Sequence, residues 1–138
     1  MVFLTVCTAR RGRILNNQKA HDILADLWRE SRPRNGWCVG RYVVMPDHVH
    51  LFARPDLDPM PLSRWVSTWK ALSARAVVSA GVAEAPIWQR DYFDRFVRTT
   101  ESYGEKWDYV RNNPVRAGLA KDLHEWPYQG VIHDLLGL

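Results

Sequence analysis

Two apolar segments separated by only two residues constrain the fold of this chain more than any other feature. Residues 37–45 and His48–Arg54 are rich in β-branched side chains, which predicts two β-strands. Because Pro46-Asp47 between them leaves room only for a tight turn, the strands should pair antiparallel. Strict alternation divides the first strand into two faces, Cys38, Tyr42 and Val44 on one and Val39, Val43 and Met45 on the other.

The segments around this hairpin predict a β-α-β-β-α-β order followed by a further helix. The predicted elements are a strand over 2–8, a helix capped by Asn16 or Asn17 and broken by 32–36, the hairpin, a helix from Leu62 to near Gly81, one bent or two short strands within 87–97, and a helix that begins at a Ser102–Glu105 capping box and ends near Asn113, before Pro114. This order is typical of a ferredoxin-like α+β sandwich with an antiparallel sheet. We expect the helices to cover one face of the sheet and leave the other for function.

Length and composition restrict the class of protein. The 138 residues predict a single domain, 1–138, with 46% hydrophobic and 25% charged residues. No segment approaches the roughly 20 apolar residues of a membrane helix. The first residues lack a basic leader, and Cys7 and Cys38 are too few for a disulfide scaffold, so we expect a cytoplasmic protein.

The charge is compatible with a nucleic-acid partner but does not require one. Nineteen Lys and Arg residues, mostly Arg, oppose 15 acidic ones, which gives a net charge of +4 and a pI near 9.3. Guanidinium groups bind phosphates, and the seven tryptophans offer rings for base stacking. A charge of +4 is also ordinary for a soluble domain, and most tryptophans fill cores, so composition alone leaves both interpretations open.

His48-Val49-His50 is the sharpest local feature of the sequence. On a strand, residues two apart point to the same face, so the two imidazoles should lie side by side while Val49 enters the core. Such a pair can chelate a divalent metal ion. A polar strand face with no ligand is the alternative interpretation.

Tyr109 and Asn113 form the second candidate constellation. They are four residues apart, so in a helix they would be neighbours on one face. A tyrosine can be a covalent nucleophile, and the Asn113 amide oxygen is a candidate third metal ligand. The alternative is structural: Asn113-Pro114 is a common start of a short helix, and Tyr109 suits an amphipathic core position.

Three segments in order resemble the single-tyrosine HUH transposases, named for their histidine–hydrophobic–histidine motif. They are residues 42–51 with the histidine pair, the aromatic and arginine segment 88–98, and residues 109–119, in which Asn-Pro-Val-Arg-Ala-Gly-Leu follows the tyrosine. The last run is similar to the REP-associated tyrosine transposase group. The resemblance covers about residues 2–130.

The resemblance implies cleavage and rejoining of single-stranded DNA at hairpin-forming repeats in the bacterial cytoplasm or nucleoid. It implies that His48, His50 and Asn113 bind Mg²⁺ or Mn²⁺, and that Tyr109 attacks the scissile phosphate to give a 5′-phosphotyrosine and a free 3′-hydroxyl. DNA phosphates would then contact Arg90, Arg95, Arg98, Arg111 and Arg116, and bases would stack on Trp88 or Tyr92. Related proteins act either as monomers or as homodimers.

Three alternatives remain open at this point. The chain could be a metal-dependent phosphoesterase that uses water, with Tyr109 structural. It could be a ferredoxin-like nucleic-acid-binding module without catalysis, or a decayed transposase that only binds DNA. Tyr103 is the next candidate nucleophile if Tyr109 is not used.

Overall fold

The computed structural model describes residues 1–136, which form a five-stranded antiparallel sheet with helices on both of its faces. The strands are β1 (Val2–Cys7), β2 (Trp37–Met45), β3 (His48–Pro55), β4 (Phe93–Phe96) and β5 (Gln129–Val131). The helices are α1 (Gln18–Asn35), α2 (Leu62–Ser79), α3 (Thr100–Val110) and the single turn α4 (Asn113–Arg116), and a 3₁₀ turn spans Ala9–Arg11. Residues 137–138 of the predicted domain lie outside the described part.

The predicted β-α-β-β-α-β order and ferredoxin-like α+β fold are confirmed. The strands lie in the order β4-β1-β3-β2-β5, so the second hairpin strand, β3, is the central one. Segment 87–97 contains two short pieces, an isolated bridge between Trp88 and Thr8 and the edge strand β4. Among residues 1–136, no helix is long and apolar enough to span a membrane.

One face of the sheet is covered by α1 and α2, and tryptophans fill the space between. Trp28, Trp65 and Trp69 are fully or almost fully buried. Trp37 stacks on Trp65 with ring centroids 5.0 Å apart, and the Trp65 indole N–H donates to Ser31 Oγ at 2.9 Å. The tryptophan surplus therefore mainly builds the core, because large aromatic rings bury much apolar area and their N–H groups need partners there.

The opposite face is not left free as expected, because α3 packs onto it. Tyr103, Trp107 and Val110 recur at helical spacing and are buried in a second core cluster with Phe3 and Phe52. The rings of Phe52 and Tyr103 lie 4.6 Å apart. The expectation of an open face was wrong because α3 has an apolar stripe of its own, which must be buried.

A β-bulge overturns part of the facing predicted for β2. The pairing of β2 with β3 shifts register between Val39 and Tyr42. Cys38 therefore shares a cluster with Val43 and Met45, while Val39 joins Tyr42 and Val44 on the α1–α2 side. One extra residue in a strand reverses the alternation beyond it, so the two residues before the bulge were assigned to the wrong faces.

The boundaries of α1 agree with the prediction, and the start of α3 differs from it. Asn17 caps α1, its side chain accepting from the Ala20 N–H at 2.9 Å, and the helix passes through Pro33 and ends at Asn35, within the predicted break at 32–36, where the C-cap Gly36 has a φ of 73°. A left-handed residue terminates a helix more decisively than a proline in its last turn. The cap of α3 is Thr99, which accepts from the Ser102 N–H at 3.0 Å, and not Ser102.

The segment after α3 holds an element that the sequence pattern does not predict. The helix ends at Val110 instead of near Asn113, and α4 follows as a separate turn. Further along, β5 pairs antiparallel with the edge of β2. With three residues, β5 is too short to show alternation, so its pairing depends on contacts with β2 and not on local pattern.

Candidate active site

The two histidines lie together on the central strand of the sheet. The ring centroids of His48 and His50 are 4.7 Å apart and the rings are inclined at 77°. Val49 between them points to the opposite face and is fully buried in the α1–α2 core. The hairpin thus presents two imidazoles on one face of a rigid β-sheet.

Each imidazole is held through its Nδ1 atom. His48 Nδ1 donates to Asp47 Oδ1 at 2.7 Å, and His50 Nδ1 lies 2.9 Å from the hydroxyl oxygen of Thr5. Asp47 in turn accepts from Arg11 Nε at 3.0 Å. Within residues 1–136 neither Nε2 atom has a hydrogen-bond partner, so Nε2 is the nitrogen of each ring that remains for a metal ion.

Burial keeps both imidazoles neutral. It lowers the pKa of His50 to about 3, assisted by the neighbouring His48 and by the charges of Lys106, Arg11 and Arg116. It also lowers the pKa of His48, although Asp47 opposes that shift. Burial would raise the pKa of Asp47, but the hydrogen bonds from His48 and Arg11 outweigh it and lower that pKa. Neutral imidazole is the form that binds metals.

Tyr109 lies in the last turn of α3 with 63% of its surface exposed. The Arg116 guanidinium carbon lies 4.0 Å from the centre of the tyrosine ring, and Arg116 Nη2 donates to the Tyr109 carbonyl oxygen at 2.7 Å. The charge of Arg116 also contributes to the lowered pKa of His50. Arg116 therefore contacts the tyrosine directly and acts on His50 through its charge.

Asn113 is the first residue of α4, so it does not share a helix with Tyr109 as the four-residue spacing implied. Its side-chain oxygen accepts a hydrogen bond from Arg116 Nη2, the same atom that contacts the Tyr109 carbonyl oxygen. Arg116 thus connects the tyrosine to the asparagine across the break between the two helices. The amide oxygen predicted as a metal ligand is engaged by a guanidinium in this arrangement.

The predicted DNA-contacting residues differ in their environments. Arg90, Arg95, Arg98 and Arg116 are exposed, whereas Arg111 is half-buried and pairs with Asp108 at 3.2 Å. Trp88 packs edge-on against Trp69 and donates to Ser73 Oγ at 2.9 Å. Tyr92 is half-buried against the same core. The roles of these residues in DNA binding stay predictions, and both aromatic rings already have protein neighbours.

Four residues near the site were missed from sequence. Asp47 directly precedes the histidine motif, which is a usable signal, but Thr5 is recognisable only from its position opposite His50 in the β1–β3 register. Lys106 is one helical turn before Tyr109, and its ammonium group lies 4.8 Å from the centre of the Phe3 ring, which itself stacks on His50. Phe93 on β4 is 68% exposed. Among residues 1–136, no three His, Cys, Asp or Glu residues cluster for metal binding.

Comparisons with known proteins agree with this arrangement. A family model described as "Transposase IS200 like" matches residues 1–113, a range that includes both histidines, Tyr109 and Asn113. The REP-associated tyrosine transposase of Escherichia coli (strain K12) is 26% identical over 127 residues, which cover 91% of this chain and 72% of that protein. A solved structure of a REP-associated tyrosine transposase bound to a REP hairpin superposes with a TM-score of 0.70 at 23% identity, over 98% of this chain and 88% of that one.

The similarity to the REP-associated group, which the three sequence segments indicate, is confirmed by the Escherichia coli relative. The solved structure is too distant in sequence to show more than the fold. The family model is the stronger finding, because it covers most of the chain and all of its candidate catalytic residues. The chain belongs to the IS200-like transposases, a family of enzymes that cleave and transfer DNA strands.

Proposed function

We propose that this chain is a metal-dependent HUH-type tyrosine transposase that cleaves and rejoins single-stranded DNA at hairpin-forming repeats through a 5′-phosphotyrosine intermediate. The observation that carries the proposal is the pair of neutral imidazoles, His48 and His50, on the sheet face against which the Tyr109 helix packs. The hairpin substrate is suggested by the relative that was solved with a REP hairpin.

The donor set supports a divalent metal ion. His48 and His50 would supply one Nε2 each, and Asn113 would supply its amide oxygen after releasing Arg116. Beside the two imidazoles, the amide oxygen and the oxygens of the substrate phosphate would supply the oxygen ligands that Mg²⁺ and Mn²⁺ prefer. When bound, such an ion would offset the negative charge on the scissile phosphate.

Tyr109 is the proposed nucleophile. Its hydroxyl oxygen forms a bond to phosphorus while the bond from phosphorus to the 3′ oxygen breaks, and the leaving 3′ oxygen gains a proton as the phenol loses one. The number of phosphodiester bonds is unchanged, so a later attack by a 3′-hydroxyl reverses the step without ATP. Arg116 limits the positions of the tyrosine ring through the contact at 4.0 Å and the hydrogen bond to its carbonyl oxygen.

We further propose that residues 1–138 work as one catalytic domain in the bacterial cytoplasm or nucleoid. In the described part, α3 packs against the same sheet that carries the histidines, through Phe52 and Tyr103. One chain would therefore supply both the metal ligands and the nucleophile, which favours a monomer over a homodimer.

The proposal is tested by trapping the covalent intermediate. The protein is mixed with a labelled, hairpin-forming oligonucleotide and Mn²⁺, and the products are separated under denaturing conditions with SDS. We expect an SDS-stable protein–DNA adduct that disappears with EDTA and in Tyr109→Phe. Tyr103→Phe is the matched control, because Tyr103 is only 6% exposed and its hydroxyl oxygen accepts from the Arg41 N–H.

Each alternative gives its own result in the same assay. Cleavage without an adduct would indicate a phosphoesterase that uses water. Binding without cleavage would indicate a binding module or a decayed transposase. An adduct that persists in Tyr109→Phe would show that the nucleophile is wrong, and metal-dependent cleavage by a His48→Ala, His50→Ala variant would refute the metal ligands.

A further inference from the structure

Lys106 lies between Tyr109 and the edge of the sheet. On one side it borders an open, shallow area of surface with Ser102, Glu105 and Tyr109. On the other side it lines a cavity of about 310 Å³ with Phe3, Thr5, Phe93, Asp94 and Arg95. Lys106 is thus the side chain shared by the surroundings of the proposed nucleophile and of β4.

The strand register places two β4 side chains on the face of the active site. Phe93 pairs with Thr5, and Arg95 pairs with Phe3. Directly opposed residues in an antiparallel pair share a face, and Thr5 contacts His50. Phe93 and Arg95 therefore lie on the side of the histidines, whereas Phe96, opposite Val2, lies on the other side.

Phe93 is exposed on the face where the other phenylalanines are buried. It leaves 68% of its surface exposed, whereas Phe3 on the adjoining strand β1 and Phe52 on β3 are buried. Two cationic side chains, Arg95 and Lys106, line the same cavity, whereas Asp94, which also borders it, pairs with Leu4 and so directs its side chain to the opposite face. Proteins that bind single-stranded nucleic acids use such an arrangement: a base stacks on the exposed ring, and the phosphates contact the positive charges beside it.

We propose that Phe93, flanked by Arg95 and Lys106, is a stacking platform for an unpaired base next to the scissile phosphate. The inference rests on the proposed function, since it assumes that a DNA single strand reaches Tyr109. Trp88 and Tyr92, whose stacking on bases stays a prediction, are partly buried against the α1–α2 core. Phe93 is the aromatic residue of segment 88–98 that is exposed on the face of the active site.

The test separates base stacking from phosphate attraction. Fluorescence anisotropy in EDTA measures binding of the full chain to a labelled oligothymidylate and to an abasic deoxyribose-phosphate oligomer of equal length. We expect the wild type to bind the oligothymidylate about tenfold more tightly, as stacking of one base provides. Phe93→Ala should abolish this preference and Phe93→Trp should retain it. Lys106→Gln should weaken binding to both oligomers alike.

Phe96→Ala is the matched control, because Phe96 is 72% exposed on the same strand but on the opposite face. It should keep the preference for the oligothymidylate. An unchanged preference in Phe93→Ala, or an equal loss in both alanine variants, would overturn the platform.

The adduct assay distinguishes this inference from the proposed function. An adduct in a protein with no preference for bases would leave the transposase proposal standing and refute the platform. A Phe93-dependent preference in a protein that forms no adduct would support the platform and refute the covalent chemistry.

Discussion

Thr5 and Asp47 fix which nitrogen of each histidine is available to a ligand. Both contact Nδ1, so both rings turn the same nitrogen, Nε2, away from their protein partners. Hydrogen bonds of this kind orient metal-binding imidazoles and raise their basicity. The sequence revealed the histidine pair, but not the residues that hold it.

We expect Thr5→Val to weaken Mn²⁺ binding about 10- to 100-fold, as loss of a hydrogen bond to a ligating histidine does. Valine keeps the shape of threonine and its preference for strands, so the fold should persist. Isothermal titration calorimetry measures the change, and Thr5→Ser, which keeps the hydroxyl, is the control. Equal Mn²⁺ affinities for Thr5→Val and the wild type would contradict the role of this hydrogen bond.

Single residues also show where sequence interpretation reaches its limit. Tyr109, His48 and His50 could be selected because their types and spacing carry chemistry by themselves. Thr5 could not, because its meaning depends on which residue of β3 lies opposite. For Trp88 the residue type indicates stacking on bases, but its exposure depends on the tertiary structure, in which its ring packs against Trp69.

Among the secondary-structure elements, α3 carries the proposed nucleophile, Tyr109. Its first turn is capped by Thr99, and its buried stripe of Tyr103, Trp107 and Val110 packs on the sheet. This docking determines the direction in which the Tyr109 side chain leaves the helix, because a helix held at one end and along one face fixes the direction of its remaining side chains.

We expect Thr99→Ala to lower the free energy of unfolding by about 1 kcal/mol, the usual effect of losing an N-cap. Ser102→Ala should lower it less, because the Ser102 side chain only accepts a hydrogen bond from the Thr99 hydroxyl. Urea denaturation of both variants measures the difference. A larger loss of free energy of unfolding in Ser102→Ala than in Thr99→Ala would show that Ser102 is the cap, as the sequence predicts.

The elements could be predicted in order but not in all details. Strand and helix patterns were sufficient for the ferredoxin-like topology, because apolar periodicity is a local signal. The bulge after Val39 could not be predicted in this way, because it depends on a long-range contact. Gly40 lies in the bulge, where a Cβ atom would be only 2.5 Å from the side chain of Leu135, a residue far along the chain. The short strand β5 was missed for the same reason, because its pairing with β2 is a long-range contact.

At the scale of the whole molecule, the two cores determine how the site is assembled. The α1–α2 core packs against one face of the sheet, behind Val49 of the histidine strand. The second core packs α3, which carries Tyr109, against the opposite face, on which the histidines lie. The proposal that one molecule completes the site rests on this packing of α3 against its own sheet.

We expect two differently inactivated variants to fail to complement each other. Tyr109→Phe lacks the nucleophile, and the His48→Ala, His50→Ala variant lacks the metal ligands. Mixed with a hairpin oligonucleotide and Mn²⁺, they should form no adduct if each site uses its own tyrosine. Adduct formation in the mixture would instead show that the tyrosine acts on the site of a second copy.

The position of β3 at the centre of the sheet has a consequence for motion. Its backbone is hydrogen-bonded to β1 on one side and to β2 on the other, so its amide protons should exchange with solvent only when the molecule opens globally. Tyr109, in contrast, has a side chain that is 63% exposed, although the last turn of α3 that carries it is held in the core by Trp107 and Val110. Rotation of its side chain is therefore the motion open to the proposed nucleophile, while the histidine pair stays in place.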